Sequence, residues 1–252
     1  MATAQQKGVA MRPKTLIEMQ PYFWTYGFCI SLFSPTASVY QLAKLNPQVN
    51  VTGKEMLKLS ARILPHQTFL KAAQMTASTP VKEALNPWAA FAVVGVLQGG
   101  VYGQSNIHFS SALKIGKDLS YKGMFRGAAF AGGRDMISQG VPFVLSGHFR
   151  KYVVDQVYPS NEGPADGIKH WCALLSTSIF ATFASQGLHN CQITMQAQHD
   201  LTYASTIRKV WSENGIKFLW RGGEARVGLL LIVNVLNELL LKPAWEMVPC
   251  EE

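Results

Sequence analysis

Between Ile207 and Arg226 the chain reads IRKVWSENGIKFLWRGGEAR, and about 95 residues earlier a degraded copy, YKGMFRGAAFAGGRD, begins at Tyr121. In each copy an aromatic residue, an arginine and a glycine follow one another, Phe125-Arg126-Gly127 and Trp220-Arg221-Gly222, just before a small-residue-rich apolar stretch. An echo of that length restricts the fold more than any local propensity does. It demands a repeat architecture, and a period of about 100 residues in a chain of 252 predicts three units, one of them shortened.

The chain is 48% hydrophobic and 15% charged, against about 25% charged in a typical soluble domain, and this balance favours a membrane protein. No stretch is uniformly apolar. The candidate segments carry Ser, Thr, Gln, His and single charges, a pattern expected of helices that line a polar cavity. A soluble, basic helical protein is the plain alternative. The net charge of +8 is spread over 23 Lys and Arg, with no dense basic helix and no aromatic-basic interleaving, which points away from nucleic acid and toward anionic lipid.

The cysteines Cys29, Cys172, Cys191 and Cys250 have neither metal nor disulfide spacing, and three fall in apolar stretches, so they read as small core residues. The six histidines do not cluster at ligand spacing. No nucleophile, base and orienting acid come together in the sequence, so no catalytic residue, metal or cofactor is expected. The N-terminal MATAQQKGVAMRPK has three cations and no acid before Glu18 but lacks the apolar core of a secretory signal, which is compatible with mitochondrial import.

Helical apolar periodicity with enough length to cross a bilayer falls at 22–45, 54–78, 86–114, 126–155, 168–197 and 222–243. Glycine and proline clusters divide these into three pairs, repeats at about 20–80, 86–158 and 168–246 behind a tail at 1–19. Gly27, Ser31 and Pro35, and then Gly95, Gly99 and Gly103, recur every fourth position, placing small residues on one helix face for close approach of a neighbour. The stretch 203–214 reads as an amphipathic surface helix, with Ile207, Val210 and Trp211 on one side and Arg208, Lys209 and Glu213 turned away.

On these residues the chain resembles the mitochondrial carrier family. The segment GLHNCQITMQ at 187–196 occupies the place of the family's P-x-[DE]-x-x-[KR]-x-[KR]-x-Q motif, and 203–222 follows its second half-motif. The second repeat keeps Phe125-Arg126-Gly127 and Arg134-Asp135, and the first keeps only Pro35 and a helix with Arg62 and Pro65. The resemblance implies an all-α membrane protein, one domain over 1–252, with six transmembrane helices in three tandem two-helix repeats in the mitochondrial inner membrane. It also implies that both termini face the intermembrane space.

The departures are as informative. Carried over residue by residue, the family's matrix-gate acids become Ala37, Ser105 and His189, and its bases become Tyr40, His108 and Gln192. The pairs are then Ala37 with His108, Ser105 with Gln192 and His189 with Tyr40, the last two able to form neutral hydrogen bonds and none a salt bridge. The opposite gate survives only as Tyr152-Val153-Val154-Asp155-Gln156 and Trp245-Glu246-Met247-Val248-Pro249, without an acid-base pair at the required spacing. By the same resemblance Phe125-Arg126-Gly127 and Trp220-Arg221-Gly222 are cardiolipin sites, an arginine beside free helix N-terminal amides. Arg62, Arg134 and Arg226, one on each even segment, form a possible residual anion site, with Asp135 partly offsetting Arg134.

A charge inside a span costs at least about 2.5–3.5 kcal/mol on insertion scales and is kept where it works. Loss of the gate charges therefore leads to the expectation of a non-transporting, carrier-fold accessory or structural subunit of an inner-membrane assembly, such as a respiratory-chain complex. The alternative is an active, divergent solute carrier for an anion.

Overall fold

The helix boundaries fall where the sequence supplies local caps. In the computed structural model, residues 15–46, 50–114, 125–159, 164–198 and 200–236 are described. Helix α1, Gln20–Leu45, starts with proline in its first turn and ends where the Asn46 amide donates to the Leu42 carbonyl at 2.8 Å. Thr52 and Glu55 cap α2, Gly53–Ala84, reciprocally. The Asn86 side chain accepts the Ala89 N–H at 3.0 Å to open α3, Pro87–Ala112.

Helix α4, Ala128–Ser138, and helix α10, Gly223–Leu236, each begin just after a glycine with left-handed backbone, Gly127 at φ +75° and Gly222 at φ +78°. The recurring Arg-Gly is thus a chain-reversal device, since only glycine takes that conformation without strain. Helix α5, Gly140–Phe149, passes through a π turn at Arg150–Val154 into α6, Asp155–Val157. Helices α7, Pro164–Ala184, and α8, Gln186–Ala197, are separated only by Ser185. Helix α9, Tyr203–Asn214, is capped by Thr202 and Ser205 and runs into a 3-10 turn at Gly215–Leu219.

These elements form six rods closed in a ring: α1 packs on α2, α2 on α3, α3 on α4, α5 on α7, and α10 on both α7 and α1. Small residues set the closest approach. A Cβ added at Gly95 would lie 2.8 Å from the Ala131 carbonyl, and one at Gly99 would lie 2.6 Å from the Ala131 Cβ, so α3 and α4 meet at a distance a larger side chain forbids. Two apolar cores sit at one end of the ring. Val39, Leu42, Ile63, Phe109 and Ile193 make one, and Phe130, Cys191, Met195, Val210 and Phe218 make the other beneath α9.

The expectation of six transmembrane helices is overturned: among the described residues no helix is long and apolar enough to cross a membrane. A span needs about 20 predominantly apolar residues in succession. Helix α2 is long but carries Lys54, Glu55, Lys58, Arg62 and Lys71, and α1 is diluted by Ser31, Ser34, Thr36, Ser38 and Gln41. The fourth and fifth segments are broken into shorter helices at Gln139 and Ser185. Helical period and overall length do not by themselves make a span. The transmembrane carrier fold falls with the spans. The last stretch of the sixth segment, 237–243, the motif at Trp245–Pro249, Cys250 and the N-terminal cations lie outside the described residues.

Beside the two apolar cores, the chain buries many polar groups and exposes many large apolar ones. Gln67, Ser105, Asn106, Arg134, Asp135, Gln186, Asn190, Gln192 and Gln196 are buried, whereas Trp24, Phe28, Leu32, Phe69, Trp88, Leu145 and Phe180 are exposed. Of the cysteines expected in the core, Cys191 is buried and its thiol is pushed up to about 11 by burial, but Cys172 is exposed and Cys29 is half-buried.

Candidate functional site

Inside the ring a cavity of about 350 Å³ is lined from five sides: Tyr26, Ser34, Ala37 and Gln41 of α1, Gln98 and Asn106 of α3, Arg134 and Asp135 of α4, Thr182 and His189 of α7 and α8, and Arg226 and Leu229 of α10. Its floor is a continuous hydrogen-bonded net. Arg134 donates through Nε to Asp135 Oδ1 at 2.5 Å and through Nη1 to Gln192 Oε1 at 2.9 Å, and the same Nη1 lies 3.3 Å from His189 Nδ1. A guanidinium has only donors, so Nδ1 is the acceptor. His189 is then neutral with its proton on Nε2, which donates to Gln41 Oε1 at 2.6 Å. Burial first, and then the guanidinium charges of Arg226 and Arg134, hold its pKa well below the usual histidine range.

Beside it, Arg226 Nη1 donates to Gln186 Oε1 at 3.0 Å and to the Thr182 carbonyl at 3.3 Å, and Nη2 donates to Ser185 Oγ at 3.2 Å. Gln186 in turn donates to Asn190 Oδ1 at 2.9 Å and to the Arg221 carbonyl at 3.0 Å. The Asn190 amide donates to the carbonyls of Phe218 and Arg221 at 2.7 and 2.9 Å. The amides of Gln186 and Asn190 bind α8 to the turn that precedes α10, and Arg226 fastens α10 itself to the end of α7 and the start of α8.

The expected gate residues come close to one another but pair differently. His189 meets Gln41, not Tyr40, and Tyr40 donates to Glu224 Oε1 at 3.0 Å, closing α1 against α10 together with Lys44, 3.7 Å from the same oxygen. Gln192 takes Arg134, while the Ser105 hydroxyl is buried with no hydrogen-bond partner. Ala37 lines the cavity, and His108 packs edge-on against Phe109 with its Nε2 unpartnered. Burial, then Arg62 and His66, lowers the His108 pKa. Of the three arginines of the residual anion site, Arg134 and Arg226 line the cavity, whereas Arg62 is exposed on α2 and absent from its wall.

The two arginine-glycine turns are also engaged. Arg126 donates to the carbonyls of Met195 at 2.8 Å, Gln198 at 3.2 Å and Leu201, so it finishes the C-terminal end of α8. The Ala129 amide in the first turn of α4 donates to the Tyr203 hydroxyl at 3.3 Å. Both the guanidinium and an amide expected to hold a lipid phosphate thus have protein partners. Arg221 donates to Asn214 Oδ1. Phe125 and Trp220 are exposed, and Gly127 and Gly222 supply the left-handed turns.

Sequence reasoning passed over a cluster at the opposite end of the ring. Arg150 of the π turn pairs with Asp166, and it lies 3.8 Å from Asp155, which is itself 3.4 Å from Lys169 of α7. Asp155 belongs to the motif in which no acid-base pair was found; its partners lie outside the motif, and spacing within one repeat gives no sign of them. Among the described residues no group of His, Cys, Asp and Glu is arranged to hold a metal ion. The chain matches no known protein family and none of the characterised proteins with which it was compared.

Proposed function

We propose that the protein is a non-transporting accessory subunit of a mitochondrial inner-membrane assembly, with a respiratory-chain complex as the favoured host. The observation that carries this reading is the outward display of large aromatic and aliphatic side chains, Trp24, Phe28, Leu32, Phe69, Trp88, Leu145 and Phe180, around a ring whose cavity is lined by amides, hydroxyls and paired arginines. Contiguous exposed apolar surface marks a place where something binds. On α1, Trp24, Phe28 and Leu32 follow one another every fourth residue, and Trp24 lies 6.0 Å from Phe69 of α2, in a helix with no charged residue between Glu18 and Lys44. Such a face suits the apolar surface of partner subunits.

The interior supports the absence of transport. The arginines available to hold an anion are occupied by Asp135, Gln192, Gln186 and Ser185, and Arg62 stands away from the cavity. The mitochondrial setting rests on the cationic N-terminal stretch and on the carrier-like motifs of the third repeat. The test is the native mass of the tagged protein after mild digitonin solubilisation of its own mitochondria, with mass spectrometry of the comigrating chains. Migration at fixed stoichiometry with respiratory subunits is expected. Migration as a lone particle of roughly the chain's own mass overturns the reading.

A further inference from the structure

Helix α2 turns two unlike ridges away from the ring. Lys54, Lys58, Arg62 and His66 follow one another every fourth residue, and beside them so do Leu57, Ala61, Pro65 and Phe69. All eight positions are exposed, Leu57 by 65% and Phe69 by 55%, while Ser60, Ile63 and Gln67 supply the buried face. Residues four apart lie one above another on a helix, so cations that look scattered along the sequence are gathered by the helical register into one row about 18 Å long.

The row is unfavourable in an isolated chain. Like charges four apart repel along a helix surface, and Lys54 stands in the first turn, beside the positive end of the helix dipole. The usual remedy is present on α9, where Lys209 and Glu213, also four apart, meet at 2.7 Å. On α2 the one acid between 53 and 69 is Glu55, and its carboxylate caps the helix, accepting from the Thr52 N–H and hydroxyl at 2.9 and 2.8 Å. None of the salt bridges among the described residues reaches Lys54, Lys58 or Arg62. The apolar ridge, by contrast, continues past its own helix. The Phe69 ring lies 6.0 Å from Trp24, which leads into the Trp24, Phe28 and Leu32 stripe of α1. The face suited to partner subunits thus has a cationic border on its α2 side.

We propose that the paired ridges of α2 receive an acidic amphipathic helix of a partner subunit. Its apolar face lies along Leu57 and Phe69, and its Asp and Glu, repeated every third or fourth residue, meet Lys54, Lys58 and Arg62. Charge complementarity commits the site to this occupant: cations in a row at helical spacing are matched by carboxylates at the same spacing on a helix packed alongside. A lipid headgroup layer is only about 5–8 Å deep on each side of a bilayer, so it reaches just part of a row of about 18 Å that crosses it. The inference rests on the accessory-subunit reading and adds the chemistry by which the host holds the chain.

The experiment is zero-length carbodiimide coupling of the tagged full chain in digitonin-solubilised mitochondria, followed by mass spectrometry of the coupled peptides. Carbodiimide joins an amine to a carboxylate only where the two already touch. Lys54 and Lys58 are expected to be joined to Asp or Glu residues three or four apart in one partner chain. The Lys58→Gln/Arg62→Gln variant should leave the assembly at about half the salt concentration that the unsubstituted chain withstands. Its thermal unfolding should be unchanged or raised, since removing the two charges relieves repulsion on an exposed face. Coupling only to this chain's own carboxylates, or a variant that stays in the assembly at the same salt, overturns the inference and leaves the accessory reading standing. A variant that stays in the assembly but loses its hold on anionic vesicles or RNA assigns the row to that partner and overturns it likewise. A lone particle before any substitution overturns both.

Discussion

At the end of the ring where α8 meets the turn into α10, Gln186, Asn190 and Arg226 join through amides, backbone carbonyls and one serine hydroxyl. At the far end, Arg150, Asp155, Asp166 and Lys169 meet as ions, most of them partly open to water. The first cluster ties α8 to α10 and the turn before it, and the second ties the π turn and α6 to α7, by opposite means. An amide net in the interior is costly to break because each orphaned group stays dry, whereas a half-exposed ion pair is replaced by water at little cost. The buried end should therefore be brittle toward substitution and indifferent to salt, and the ionic end the reverse.

The largest effect is expected at Arg134. It and Asp135 are 3% and 2% exposed, and the guanidinium also holds Gln192 and His189. Arg134→Ala leaves a buried carboxylate uncompensated and should cost about 3–5 kcal/mol in chemical denaturation. Removing both partners in Arg134→Ala/Asp135→Ala should cost clearly less than the sum of the two single changes. Additive losses would show that the pair is not coupled and would remove the case for a brittle floor.

Asn190→Ala comes next. It strips the carbonyls of Phe218 and Arg221 and the amide of Gln186 of one partner each, at a residue with no exposed surface. A loss of about 1–3 kcal/mol is expected from leaving one such group unsatisfied, and the loss should not change with ionic strength. Asn190→Asp keeps the acceptor for Gln186 but sets a carboxylate against two carbonyls, and should be no better than alanine. A tolerated Asn190→Asp would mean water reaches this corner.

A smaller, graded effect follows from His189. Its folded pKa is depressed, so below the ordinary histidine value of about 6.5 the unfolded chain binds a proton that the folded chain refuses. Stability is then complete above that value and declines as pH falls from it toward the folded pKa. His108, lowered by burial, Arg62 and His66, acts with the same sign. His189→Gln should flatten part of the slope of unfolding free energy against pH, and His189→Gln/His108→Gln should flatten more. An unchanged slope in the double variant would place the acid sensitivity elsewhere.

The same contrast separates what the chain made readable from what it hid. Helix limits followed local chemistry: Thr52 with Glu55, Asn86 with Pro87, and the glycines at 127 and 222 act within a few residues, so the sequence displays them. Pairing across rods depends on rotations that no single repeat records. One residue of register decides that Gln41 rather than Tyr40 reaches His189 and frees Tyr40 for Glu224. Arg126 looks like a phosphate ligand until α8 ends against it. The transmembrane reading failed for a related reason. Periodicity reports that a helix has two faces, but not which face is polar enough, or which break short enough, to disqualify it as a span.

The weakest expected effect lies at the ionic end and completes the comparison. Asp166 is paired with Arg150, but its side chain is 47% exposed and that of Arg150 is 27% exposed. Asp166→Asn should cost no more than about 1 kcal/mol at low salt, and the difference from the unsubstituted protein should vanish in high salt. Lys169, 4% exposed and 3.4 Å from Asp155, is the internal control. Lys169→Met removes a buried cation while Asp155 keeps Arg150 nearby, so its effect should persist in salt. If Asp166→Asn proved as costly as Asn190→Ala and equally insensitive to salt, the two ends would share one mechanism. The π turn that carries Arg150 would then have to be treated as part of the buried frame.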